Sequence, residues 1–156
     1  LAHFLIYNQN YLGNVNSILK IKLNDLSNKL IKNGEINFII NEKKINLEKE
    51  IFNLDKIGLI NSEISFVERQ ENIIFISKNH LKIENHIEFA KAFQIGTKKI
   101  KNINNIYFDL EKIIGETDFT ISNIKLNNFE NNGNSEEIFV VENIQNLRAI
   151  IRKLIN

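Results

Sequence analysis

Histidines, paired carboxylates and one lysine cluster are the side chains whose types and spacing bear on chemistry in this sequence. His80 and His86 stand six positions apart. A metal pair on a helix needs i, i+4 spacing and a pair on a strand needs alternate positions, so neither geometry is met. His80 and Glu84 can meet across a turn, but no further carboxylate completes a ligand set, and surface histidines are the plainer reading. Acids recur as Glu48 and Glu50, Asp109 and Glu111, and Glu136 and Glu137. Glycoside hydrolysis would need two carboxyls facing each other across a cleft, one with a raised pKa. Asp109 and Glu111 instead share one face of an alternating segment, which reads as a solvated sheet face.

Other chemistries lack their residues. The six glycines are isolated, so no loop can cradle a phosphate, and no Ser sits in a G-x-S-x-G elbow. With no Cys there is no thiol nucleophile, thiolate metal site or disulfide. The expectation is a non-enzymatic protein without a cofactor or a metal. Lys98, Lys99 and Lys101 form the densest basic cluster. It suits contact with anionic lipid headgroups or, more plainly, solubility and protection of a sheet edge. A net charge of +1 on 156 residues argues against a nucleic-acid partner.

The elements that would position these residues are mostly strands. Period-two alternation runs through Leu19, Ile21 and Leu23, then Ile36, Phe38 and Ile40, then Ile45 and Leu47. It resumes in Ile57 to Val67, where Ser62 interrupts Ile60, Ile64 and Phe66, and in Ile73 to Ile76 after a hairpin connection at 68–72. Leu81 and Ile83 continue it, followed by Ile106, Phe108 and Leu110, a turn at Gly115-Glu116, and Phe119 and Ile121. Ile124 and Leu126 are out of phase, which places a bulge near Ser122-Asn123. About eight short strands with tight polar turns imply an antiparallel meander over about 2–126.

Two segments have helical spacing. Phe89 and Phe93 share one face of a short helix over about 86–95, with Gly96 as its stop. A closing helix is expected over about 136–155, capped by Asn134 and Ser135, with Glu136 and Glu137 at its positive end. Its apolar stripe is Ile144, Leu147, Ile151 and Leu154, with Arg148, Arg152 and Lys153 toward the carboxyl end. The stretch 127–134 reads as a polar loop. The length fits one domain. The longest apolar runs, such as Phe4 to Tyr7, are about four residues against the roughly 18–20 that a membrane-spanning helix needs. A sequence without Met leads to the expectation that the chain is a piece of a longer protein.

Eleven Phe beside abundant Ile give a large, chemically plain apolar interior. Runs such as Phe38-Ile39-Ile40 and Ile73-Ile74-Phe75-Ile76 read as strands covered on both faces. Phe38, Ile40, Phe66, Phe75, Phe108 and Phe119 are therefore either core residues or the lining of a groove that holds an acyl chain.

The order of elements carries a family resemblance. A meander of Ile/Asn-rich strands leads to a Phe-containing helix at 87–95, then to the Lys-rich entry Thr97-Lys98-Lys99-Ile100-Lys101. The strand pair at 105–110 and 118–126, a polar loop and a closing helix complete it. This resembles the carboxyl-terminal region of the AsmA-like (AsmA/TamB/YhdP) superfamily. The resemblance implies a periplasmic part of an envelope-biogenesis protein, tethered to the inner membrane through the rest of its parent chain. It implies a curved β-sheet with an apolar face that supports phospholipid transport or outer-membrane assembly, with phospholipid acyl chains as partners and no catalytic centre. No site residue carries over, because the family pattern offers no site motif. The expected fold is α+β: a curved, mostly antiparallel meander with a short helix and a carboxyl-terminal amphipathic helix packed on it. Two other readings stay open, a helix-grip or lipocalin-like binder of a small apolar ligand and a structural cap that contacts a protein partner.

Overall fold

Period-two patterning gives each alternating segment one apolar face, and the segments assemble by pairing those faces side by side. The computed structural model describes residues 16–24, 31–41, 44–47, 49–127 and 137–155. Within them the strands are β1 (Ser17–Asn24), β2 (Asn33–Asn41), β3 (Lys44–Leu47), β4 (Lys49–Asn53) and β5 (Gly58–Arg69). They continue as β6 (Asn72–Ile83), β7 (Asn105–Ile113), β8 (Phe119–Leu126) and β9 (Phe139–Val141). The helices are α1 (His86–Phe93), the single turn α2 (Thr97–Ile100) and α3 (Ile144–Ile155).

Every pairing is antiparallel, and the sheet follows chain order from β1 to β9, with β3 paired to β2 off the main path. The sheet is not closed. This is the expected α+β meander, extended by β9 past the expected limit at 126. None of the helices described is long and apolar enough to cross a membrane.

Register defines the two faces. Phe52, Ile60, Leu81, Ile106 and Leu126 oppose one another in one row across β4 to β8. Glu50, Ser62, Asn79 and Phe108 form the next row, then Ile64, Ser77, Leu110 and Ile121. Phe66 and Phe75 follow at the hairpin end. The helices pack at the end of the sheet that holds the first row, with Phe108 of the second row against the same core. Phe89, Ala90, Phe93, Ile95 and Ile100 join Leu54, Ile57, Leu81, Ile83 and Ile106 in one buried core, with Leu147, Ile151 and Ile155 of α3 against it.

The long β5–β6 hairpin turns in two residues, Gln70 and Glu71, at φ +50° and +66°. Left-handed backbone at both positions matches the twist of the flanking strands, so the expected five-residue connection contracts to two. The bulge near Ser122-Asn123 is present. Tyr107 opposes Lys125 but Asp109 opposes Ser122, so β8 carries one extra residue there, with Asn123 at φ +53°. The Asn123 amide donates to Asp109 Oδ2 at 2.7 Å.

Helix α1 stops differently from the expectation. Gln94, at φ +57° and ψ +47°, ends it two residues before Gly96. The Ile95 N–H donates to the Ala90 carbonyl at 2.9 Å and the Gln94 N–H to the Lys91 carbonyl at 3.3 Å. This is the two-bond Schellman closure, with Gln where Gly is usual. Gly96 has φ −64° and leads into α2 instead. At the start, Asn85 Oδ1 accepts from the N–H groups of Ile87 and Glu88. Gln94→Gly is expected to raise stability by about 1 kcal/mol, because an exposed side chain in left-handed backbone is replaced by none. Urea unfolding checks this: the midpoint should rise at constant slope, and a lower midpoint would show that Gln94 holds the helix end by other contacts.

The closing helix also differs. It begins at Ile144, with Asn143 Oδ1 accepting from the N–H groups of Gln145 and Asn146, and not near 136. Asn134, Ser135 and Glu136 lie outside the described residues, as does most of the expected loop. Glu137 precedes the helix and pairs with Lys153 at 3.0 Å. Phe139, Val140 and Val141 pair with β8 as β9, because aromatic and β-branched residues fit a pleated surface and Val141 is buried there. The helix packs through Leu147, Ile151 and Ile155, while Ile144 at its start stays exposed.

Candidate functional site

The inner sheet face has two apolar regions. One lies under the helices. In the other, the described residues all come from strands: Phe38 is buried at 4% exposure, and Leu19, Ile21, Ile36, Leu47 and Phe66 pack half-buried around it. Phe38 sits on β2 opposite Leu47 of β3, yet its ring stacks on Phe66 of β5 with centroids 6.2 Å apart. Phe66 meets Phe75, its cross-strand partner on β6, edge to face at 5.5 Å. The three rings therefore form one continuous aromatic row from β2 to β6. Offset and edge-to-face pairs of this kind add about 0.5–1.5 kcal/mol each beyond the area they bury.

The six apolar residues singled out from the sequence do not all meet. Phe38, Phe66 and Phe75 form the row. Ile40 lies on the same strand as Phe38, its backbone opposite Ser17 and Ile45, and its side chain falls outside the described residues. Phe108 packs against the helix-covered core. Phe119 lies half-buried on β8 opposite Val141, near the β9 end of the sheet.

A polar row separates the two apolar regions, and it was missed at the level of sequence. Glu50, Ser62, Ser77 and Asn79 are all buried. The Ser62 hydroxyl donates to Asn79 Oδ1 at 2.7 Å, and the Asn79 amide donates to Ser77 Oγ at 2.9 Å and to the carbonyls of Ser77 and Phe108. Glu50 Oε1 accepts from the backbone N–H of Asn37 at 2.7 Å. Register explains that contact. Phe38 opposes Leu47 in one ladder while Gly34 opposes Phe52 in the next, a slip of one residue. Asn37 pairs with Lys20 on the β1 side but falls between the β3 and β4 ladders on the other, where the carboxylate supplies the acceptor. Glu50 is thus a buried structural ligand of the backbone and not half of a solvated acidic pair. The available signal was the position of Ser62, in phase with Ile60, Ile64 and Phe66.

The remaining candidates serve the frame. His80 stacks on Tyr107 with centroids 4.4 Å apart and an 8° interplanar angle, and its Nε2 lies 2.8 Å from Asn105 Oδ1. His86 Nε2 lies 3.1 Å from both the Ile103 carbonyl and Asn104 Oδ1. Both rings are half-buried. Glu84 lies 3.9 Å from Lys82. Asp109 accepts from Asn123, and Glu111 lies 3.4 Å from Arg69, so each is engaged within its own sheet face. Among the described residues no three His, Asp or Glu side chains come together as a metal set. Lys98, Lys99 and Lys101 are exposed on and just after α2.

The chain matches no protein-family model, no curated protein and no solved structure.

Proposed function

We propose that this domain is a non-enzymatic envelope module that holds phospholipid acyl chains against the strand-built half of its inner face. The observation that carries the reading is the aromatic row Phe38–Phe66–Phe75, whose apolar neighbours among the described residues come from strands, while the described helices pack on the other half. Acyl chains need area and shape, not polar catalysts, and each methylene placed against such a face gains about 0.8 kcal/mol. The open path of the sheet favours a face over a closed, lipocalin-like cavity. The AsmA-like resemblance extends the reading to a role in phospholipid transport or outer-membrane assembly. On that reading the module works in the periplasm, tethered to the inner membrane through its parent chain.

Native mass spectrometry of the purified domain, with lipid extraction from the same sample, tests this. Phospholipid is expected at a reproducible ratio. Phe66→Asp places a charge on the row at a half-buried position and is expected to cut the retained lipid at least about tenfold, the desolvation of a carboxylate outweighing the apolar gain. Circular dichroism verifies that the variant keeps its sheet. Equal lipid on folded wild type and variant would sink the proposal and favour a structural cap that contacts a protein partner.

A further inference from the structure

Charge is unevenly divided over this fold. Residues 86–103, which hold α1 and α2, contain four lysines and one glutamate, and α3 contains three cations and no acid. These two segments carry a surplus of six positive charges on a chain whose total is +1, so the rest carries five more acids than bases. The segments form one layer. Arg148 of α3 donates from Nε to the Ala92 carbonyl of α1 at 2.9 Å, and both helices pack on the same apolar core. The layer lies on the inner face, the face that also bears the aromatic row.

The outward side of the layer mixes cations with apolar surface. Phe89, Ala90 and Phe93 turn α1 toward the core, which leaves Ile87 (57% exposed) and Lys91 one turn apart on the opposite side. Lys98, Lys99 and Lys101 follow immediately, all exposed. On α3, Gln145, Ala149 and Lys153 are exposed at successive turns, with Arg148 and Arg152 half-buried beside them. Lys91 pairs with Glu88 at 2.8 Å and Lys153 with Glu137 at 3.0 Å. Among the described residues, Lys98 and Lys101 enter no ion pair.

We infer that the helical layer is a docking surface for an anionic lipid bilayer. Juxtaposed lysines gain about 1 kcal/mol each near anionic headgroups, and an exposed Ile among them suits the boundary between headgroup and acyl chain. Nucleic acid fits less well. The layer buries both of its aromatic rings, Phe89 and Phe93, and so offers no platform for stacking a base. Docking through this layer would turn the face that carries Phe38, Phe66 and Phe75 toward the bilayer. The inference does not depend on acyl-chain binding, and the two fail separately.

Co-sedimentation of the protein with vesicles tests it. Binding is expected to vesicles of phosphatidylglycerol mixed with phosphatidylcholine, to fall with added salt, and to be absent with phosphatidylcholine alone. Lys98→Glu with Lys101→Glu is expected to weaken binding about 30-fold, from two lost lysine contacts. The matched reversal of Lys22 and Lys78, exposed on the outer face, should leave it within about twofold. Unchanged binding by the Lys98/Lys101 variant overturns the inference, as does tighter binding to duplex DNA than to the anionic vesicles. Equal, salt-insensitive binding to neutral vesicles also overturns it, while leaving the acyl-chain reading intact. Retained binding to anionic vesicles with no co-purifying phospholipid overturns the acyl-chain reading alone.

Discussion

Gly58→Ala is expected to destabilise the domain by about 3 kcal/mol, a large part of the ~5–15 kcal/mol that holds a typical domain folded. Gly58 opens β5 at φ +153°, and a Cβ there would run into the backbone carbonyl oxygen of Lys82 on β6, with the Glu84 nitrogen at 3.1 Å. The obstacle is backbone, so no side chain can swing away to make room. The same few residues carry the junction between sheet and helices. The Ile57 carbonyl accepts from Glu84 and Asn85, and the Gly58 carbonyl accepts from Leu54. Asn85 in turn caps α1. Moving the strands apart to admit a methyl group would therefore loosen the first turn of the helix as well. Thermal unfolding checks the prediction through a melting midpoint lowered by many degrees. A shift of a degree or two would mean that β5 and β6 separate at little cost.

The second large effect is expected at Phe89. Its side chain has no solvent exposure and lies at the centre of the helix-covered core, with its ring 4.6 Å from that of Phe93. Phe89→Ala removes a whole ring from a packed site, at a cost of about 3–5 kcal/mol. Because the two rings touch, Phe89→Ala and Phe93→Ala should together cost less than the sum of their separate effects, the first cavity having already released part of the second ring's contacts. Denaturant unfolding of both single variants and the double variant measures this. Strict additivity would show that the rings do not support each other. The effect also separates the two apolar regions: the cluster around Phe38 shares no residue with the core around Phe89. A folded, weakened Phe89→Ala should hold its helices loosely and keep the aromatic row.

Much of the frame could be read from local pattern. Period-two alternation located the strands, since half-buried antiparallel strands alternate by geometry. The out-of-phase Ile124 and Leu126 located the β8 bulge, because one inserted residue must flip the phase. Helix ends were harder. Gln94 takes left-handed backbone that Gly96 was expected to supply, because Ile95, next along the chain, gains a buried place by ending the helix early. Phe139 and Val141 fall inside the closing helix expected over about 136–155, yet they form β9. The apolar row beside β8 decides their state, and that row lies distant in sequence.

The candidate site was legible only as a list of large apolar strand residues. Nothing in the spacing of Phe38, Phe66, Phe75, Phe108 and Phe119 distinguishes the three rings that meet from the two that do not. That depends on which strand end the helices cover. Glu50 and Asn79 looked like ordinary polar residues, since their burial follows from a one-residue slip in register and from a cross-strand hydrogen bond.

The sequence by itself determined the class of the protein: an α+β antiparallel meander with two amphipathic helical segments and a nearly neutral charge. Hydrophobic periodicity is a property of neighbouring residues, so it survives without knowledge of the fold. The tertiary structure alone decided that the apolar face is split by the Glu50–Ser62–Asn79 row, and that three phenylalanines converge on its strand-built half. It also decided that the cations of two segments, separate in sequence, share one layer. Each of those outcomes depends on contacts between strands and helices far apart along the chain, and register and packing specify them.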